Sequence, residues 1–283
     1  MPKLTENQVK MAFEYACKLD VFSIKPGNVF LNHPAYGMTH KDFLQSSMAC
    51  SDIICERNMD IGLKILESVK ASMDVVGCNT NLGIILLCAP IVEAVYMDKD
   101  HKFDQKNIKI VIDNINCKQT KNIYKAINLA NAGGMSSKEE FDLKNNKSEK
   151  FTLLEAMNFA KTYDYIASEY ANYFYNIINT ISPNWRSYFK FMGNDECATT
   201  ATFLQQIISN PDTLIARKHD LTAAKEVSER FKEIAHEYCA LKDPNILNNK
   251  LLLLDSELKI QGLNPGTTAD VVVASIFLNR LGL

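Results

Sequence analysis

The chain has 283 residues, is 47% hydrophobic and carries a formal net charge of −2 from 31 basic and 33 acidic residues. That length and apolar content suffice for a sizeable core, in one large domain or two small ones. The near-balanced charge, with no polybasic block, argues against a nucleic acid or a membrane surface as partner, so an anionic ligand has to be met by a local group of Lys, Arg and backbone N–H. The N-terminus lacks the apolar stretch of a signal peptide. Thr5 and Gln8 have capping-box spacing, and Val9, Phe13 and Ala16 then form one stripe, which predicts a first helix. "IKPGNVF", Ile24 to Phe30, follows it. Pro26 and Gly27 suit the two corners of a turn, with Lys25 and Asn28 on either side.

"GCNTNLG", Gly77 to Gly83, stands directly ahead of "IILLCAPIVEAV". Asn79, Thr80 and Asn81 suit the N-terminus of that helix, either as plain caps or beside an anion that uses its free N–H groups. The longest apolar run, Leu82 to Val92, has 11 residues and contains Pro90, well short of the roughly 20 that a membrane span needs. "IKIVIDNI" fits a strand or a short helix, and the polar segments 97–107 and 136–150 read as exposed loops. Thr152 to Ile178 reads as one long helix, with Leu154, Met157, Tyr165 and Ala167 facing inward. Asp164 then falls mid-helix between Tyr163 and Tyr165, where a carboxylate has no capping duty and is either solvated or functional.

In "PDTLIARKHD", Asp212 or Thr213 can cap a short helix whose far end carries Arg217, Lys218 and His219, a placement the helix dipole favours even without a ligand. Val227, Phe231, Ile234 and Tyr238 give another inward stripe. In "GLNPGTTADVVVA", Pro265-Gly266 makes a turn, Thr267 or Thr268 caps the last helix, and Asp270 falls in its first turn. There it is stabilised by the dipole and well placed for a metal ion. The fold expected is all-α, a single large multi-helix domain over 1–283 with a ligand cleft at helix ends. Eight cysteines form no C-x-x-C pair and stand with histidines at no zinc spacing; most sit in apolar surroundings and read as buried thiols in a reducing cytoplasm.

Taken in order, "IKPGNV", "NTNLG", "YKAINLANAGG" (Tyr124 to Gly134), "LLEAMNFAKTYDYIASEY", "DTLIARKHD" and "NPGTTADV" resemble the motifs of the triphosphoribosyl-dephospho-CoA synthase family. The match runs from about residue 10 to the C-terminus, and the "NTN" and "NPGTTAD" spellings resemble an archaeal and methylotroph branch. The sequence departs from the family at Tyr163, where Arg is frequent, and at Asp220, where Gly follows "RKH". The resemblance implies a cytoplasmic transferase that joins ATP to 3′-dephospho-CoA and releases adenine, a step in coenzyme biosynthesis. It implies Mg2+ with the ATP, and phosphate and nucleotide contacts from Lys25, Gly27, Asn28, Asn79, Thr80, Asn81, Arg217, Lys218, Gly266 and Thr268. Asp164 and Lys25 would act in catalysis, with Asp270 and Asp164 near the metal. Ribosyl-phosphate transfer to another acceptor, as in pterin-like coenzyme synthesis, and a nucleotide-binding protein without catalysis are the alternatives, and a homo-oligomer stays open.

Overall fold

In the computed structural model, residues 4–98, 103–130 and 152–282 are described. The end of the "NAGG" element and most of the two polar loops lie outside these residues. Among the described residues are fourteen α-helices and no strand longer than an isolated bridge. In chain order they are α1 (Glu6–Phe22), α2 (His40–Cys55), α3 (Ile61–Val76), α4 (Leu82–Met97), α5 (Gln105–Asp113), α6 (Cys117–Leu129) and α7 (Leu153–Ala160). There follow α8 (Tyr165–Ala171), α9 (Ser182–Met192), α10 (Asp195–Ser209), α11 (Thr213–Lys218), α12 (Leu221–Ala240), α13 (Asn248–Ile260) and α14 (Gly266–Arg280).

Two helices, α4 and α14, organise the rest because they are buried on every side over most of their length. Leu82 to Pro90 is buried without interruption in α4, and Val271 to Leu278 in α14. A helix without a polar face has to be surrounded, and each fully buried Leu or Ile on it contributes roughly 1.5–3 kcal/mol relative to exposure. The two pack on each other, with α2, α3 and α5 against α4 and α1, α9, α10 and α11 against α14. Phe13 of α1 meets Phe277 of α14 edge-on at 6.0 Å, and Phe203 of α10 meets Phe231 of α12 at 6.0 Å.

The Thr5–Gln8 capping box opens α1, and Val227, Phe231, Ile234 and Tyr238 face the core from α12. The "IKIVIDNI" stretch is helical, as α5 and its C-terminal turn. The long helix expected over Thr152 to Ile178 is instead two short helices and a π-helical turn over Ile177–Ile181. The break falls at residues 161–164, where Asp164 accepts a hydrogen bond from the Ala167 N–H at 2.9 Å and so caps α8. Thr213 also accepts the Tyr165 N–H at 3.2 Å. A helix N-terminus with both partners supplied is stable there without Pro or Gly.

Candidate active site

The turn at Lys25 to Asn28 is real: the Asn28 N–H donates to the Lys25 carbonyl at 2.9 Å and Gly27 sits at φ 85°. Only glycine fits that position. Besides the left-handed φ, a Cβ there would come within 2.7 Å of the Leu263 carbonyl oxygen and 2.9 Å of Pro265. The first and last motif segments are therefore pressed together. The Gly27 N–H donates to Asp255 of α13 at 2.9 Å, and the same carboxylate binds the Lys259 ammonium at 2.9 Å. Lys259 in turn donates to the His33 carbonyl at 3.0 Å and lies 4.6 Å from the Phe30 ring centroid. This brace fixes the loop after the turn. It also leaves the Gly27 N–H already donated, so that group is not the phosphate donor the resemblance implied.

Lys25 is fully buried, and its ammonium pairs with Asp20 in the last turn of α1. Asn28 is buried as well, and its side-chain oxygen accepts the Val29 N–H at 2.7 Å. Asn28 therefore stiffens the turn rather than presenting its amide to solvent.

The second segment reaches the last one through a glycine. A Cβ on Gly83 would run into the Asp270 carboxylate, so the first turn of α4 and the second turn of α14 touch only because residue 83 has no side chain. Ahead of it, Asn79 accepts the Leu82 N–H at 3.3 Å from two residues before the N-cap position of α4, which is Asn81. The Asn81 amide points back to α2, donating to the Phe43 carbonyl at 3.3 Å and to Ser46 Oγ at 3.0 Å. The hydroxyl of Thr80 is buried without a partner among the described residues.

Asp212 joins the "DTLIARKHD" and "NPGTTADV" segments. One oxygen accepts the N–H groups of Leu214 (2.8 Å) and Ile215 (3.1 Å) as the cap of α11, and the other accepts the Thr268 N–H (2.7 Å) and hydroxyl (2.8 Å). Burial pushes the Asp212 pKa up, and these hydrogen bonds pull against it. Neither Thr267 nor Thr268 caps α14 from its own chain position; the cap comes from Asp212, 56 residues away. The Thr268 hydroxyl is committed to that contact. Because α14 starts at Gly266, Asp270 lies beyond the first turn, past the strongest part of the dipole. Gly266 itself is there for packing, since a Cβ would meet Leu214 at 2.8 Å.

Arg217 pairs with Asp164, and both side chains are 18% exposed. The Nε of Arg217 is buried without a partner among the described residues. Lys218 is exposed and stands outside the group. Asp220, the departure from the family pattern, caps α12 by accepting the Ala223 N–H at 2.8 Å. Tyr163 is exposed and packs edge-on to Phe159 at 6.4 Å.

The result is one charged group at the end of α1 and the starts of α4, α8, α11 and α14. It holds four carboxylates (Asp20, Asp164, Asp212, Asp270) and two cations (Lys25, Arg217). Asp270 is its focus. Its pKa is pushed far above the usual carboxylate range, first by burial, then by the charges of Asp20 and Asp212, with Lys25 and Arg217 opposing. It accepts no hydrogen bond among the described residues, unlike the other three carboxylates. The sequence reading missed Asp20, Gly83, Asp212 as a clamp, and Asp255. Asp20 had one signal, an acidic residue in the last turn of a helix, where the dipole disfavours it.

A separate cavity of about 330 Å³ lies beside α1, lined by Tyr15, Lys18, Phe22, Asn194 and Asp195 among others. It contains no motif residue, and its rings are already covered by cations of the chain: Lys18 lies 5.3 Å from Phe22, and Arg280 lies 4.1 Å from Tyr15.

No curated protein matches the chain. A crystal structure from Archaeoglobus fulgidus, provisionally assigned as a triphosphoribosyl-dephospho-CoA synthase, is similar with a TM-score of 0.62 and 22% identity, over 83% of this chain and 96% of that chain. At that identity the likeness speaks to the fold. The CitG family, ATP:dephospho-CoA triphosphoribosyl transferase, matches residues 6–283. The match spans nearly the whole chain and every segment that meets in the cluster, and the chain belongs to the ATP:dephospho-CoA triphosphoribosyl transferase family.

Proposed function

We propose that the cluster around Asp270 holds the triphosphate of ATP with a divalent cation while the triphosphoribosyl group passes to 3′-dephospho-CoA and adenine leaves. The observation that carries this reading is the convergence of five motif segments on one group of buried and half-buried side chains that has more carboxylates than cations. The reaction breaks the bond from the ATP ribose C1′ to adenine and forms a bond from C1′ to a ribose oxygen of the acceptor. The acceptor hydroxyl gives up its proton, and adenine departs with one.

Mg2+ fits the donor set. Asp270 is an oxygen donor that accepts no hydrogen bond among the described residues and lies among other carboxylates. No set of three or more His, Cys, Asp or Glu side chains among the described residues is arranged for a metal ion. A cation here would share Asp270 with phosphate oxygens and water, the usual habit of Mg2+ with nucleotides. It would supply charge neutralisation for the triphosphate.

The chain's own groups do the rest. Lys25 and Arg217 are the cations that meet phosphate oxygens, each such charge-assisted bond being worth about 1.5–3 kcal/mol. Cleavage of the glycosidic bond builds positive charge on the ribose, which a nearby carboxylate stabilises. Asp164 is assigned that task because it sits with Arg217 at the partly exposed edge of the cluster, whereas Asp20 is committed to Lys25 and Asp212 to Leu214, Ile215 and Thr268. The Arg217–Asp164 pair then links the phosphate end of the nucleotide to its sugar. No helix among the described residues is long and apolar enough to cross a membrane, and we assign the enzyme to the cytoplasm, where ATP and dephospho-CoA meet.

Adenine release from ATP tests the reading. Release that requires dephospho-CoA is the expected result. Release that requires a different acceptor transfers the assignment to that acceptor. Stable ATP binding with no adenine under any condition overturns catalysis.

A further inference from the structure

We propose that Asp20 is the positioning residue for Lys25, fixing where its ammonium rests before the triphosphate arrives. The proposal rests on the reading of Lys25 as a phosphate ligand. Asp20 occupies an unfavourable place, in the last turn of α1, where the helix carbonyls repel a carboxylate. It is also 3% exposed, between Leu19 and Val21, which bury apolar side chains at neighbouring positions. A carboxylate kept in such a position without a cation would be strongly destabilising. Its ion-pair partner is Lys25.

Lys25 needs such a partner. The Lys25–Asn28 turn fixes its backbone, and Gly27 is wedged beneath Leu263 and bound to Asp255. The side chain beyond the backbone is long and flexible, with rotamer freedom that a phosphate would otherwise have to freeze on binding. Asp20 ends that freedom by holding the ammonium, and it does so within electrostatic reach of Asp270. Backbone and head group are thus both fixed before the nucleotide enters, the condition for binding energy not to be lost on ordering the side chain.

The test compares Asp20→Asn, Asp20→Glu and the double variant Asp20→Leu/Lys25→Met, reading KM for ATP, KM for dephospho-CoA, kcat, and Tm with and without Mg-ATP. Asp20→Asn should raise the KM for ATP tenfold or more while the KM for dephospho-CoA stays within twofold. Asp20→Glu, which keeps the charge and moves it by one methylene, should raise the KM for ATP at least threefold but less than Asn does. The double variant should recover the Tm lost in Asp20→Asn but not the stabilisation by Mg-ATP. An unchanged KM for ATP in Asp20→Asn, whatever its Tm, makes the pair a structural brace and overturns the proposal, as does an equal rise in both KM values. Should Asp20→Asn not fold, Asp20→Glu decides alone, and wild-type KM values in it overturn the proposal. A wild-type protein that neither releases adenine nor is stabilised by Mg-ATP overturns the functional reading and this assignment with it.

Discussion

Two lysines among the described residues are fully buried, Lys25 and Lys64, and they keep different company. Lys64, on α3, pairs with Glu93 of α4, whose side chain is 25% exposed, and its ammonium lies 5.7 Å from the Tyr96 ring centroid. Arg57 lies on the same ring at 4.7 Å and has its own carboxylate in Glu6, so the charges there are matched, with solvent at their edge. Lys25 pairs with a carboxylate as buried as itself, and its charge is felt by Asp270, on which Asp20, Asp212 and Arg217 also act, and by Lys259. A balanced pair between two helices is a brace. A group with more carboxylates than cations has to hold a proton, as the raised pKa of Asp270 allows, or to receive a cation, which on the function proposed above is the one delivered with the nucleotide. Buried polar charge is costly in both places, and the imbalance is what separates function from support.

The largest effect expected from this contrast comes from removing each lysine in turn. Lys25→Met should lower kcat/KM for ATP by about 10- to 150-fold, the equivalent of one charge-assisted phosphate bond. Lys64→Met should instead lower the Tm, because it strands Glu93, and leave kcat/KM within about twofold. Steady-state kinetics and thermal unfolding of the two variants read this directly, and equal kinetic losses would erase the distinction.

Next in size is Gly83→Ala. The added Cβ occupies the place of the Asp270 carboxylate, so Asp270 has to move. Turnover should fall at least tenfold at a fixed Mg2+ concentration, and more Mg2+ should recover part of it. A variant with normal turnover would mean that the position of Asp270 is unimportant.

Glu169 sharpens the comparison from outside both regions. It is fully buried on α8 and has neutral partners, accepting from the Asn176 side-chain amide at 3.0 Å and the Ile177 N–H at 3.3 Å. Burial pushes its pKa up to about 7 from an ordinary 4.5, with those hydrogen bonds opposing. The folded state thus holds a proton that the unfolded state has lost. The protonated carboxyl is fully tolerated below about pH 4.5, and stability from this group falls as pH rises through about 7, by roughly 3 kcal/mol in all. Glu169→Gln should remove that slope, so its Tm relative to wild type should rise between pH 5 and pH 8. A difference independent of pH would place the proton elsewhere.

The smallest effect concerns Asp220. Restoring the family's glycine in Asp220→Gly removes the cap of α12, which should cost a few tenths of a kcal/mol, with turnover within twofold. A large kinetic loss would bring Asp220 into the site.

What could be read in the sequence follows the same division. Caps and stripes are local signals, and Thr5 with Gln8, Asp212 ahead of α11 and the α12 stripe all stand where the residues indicate. The motif turns were legible too, because Pro and Gly mark them. Asp164 was not, since no Gly or Pro interrupts residues 152 to 178, and the helix break depends on Thr213 and Arg217, which lie 48 and 53 residues away. Asp255 meets Gly27 across 228 residues, and no local pattern announces such a bond. The glycines illustrate the limit most plainly. Gly27 and Gly266 read as nucleotide contacts and Gly83 was not singled out, yet each is required by a close approach between segments. They build the site by letting its walls touch.

The most direct test of the account is the Mg2+ dependence of adenine release from ATP in the presence of dephospho-CoA, for wild type and Asp270→Asn. If Asp270 receives the cation that balances the cluster, the variant should need at least tenfold more Mg2+ for half-maximal rate, with its Tm equal to or above that of wild type. The same Mg2+ midpoint in both proteins would contradict the account, whatever the change in maximal rate.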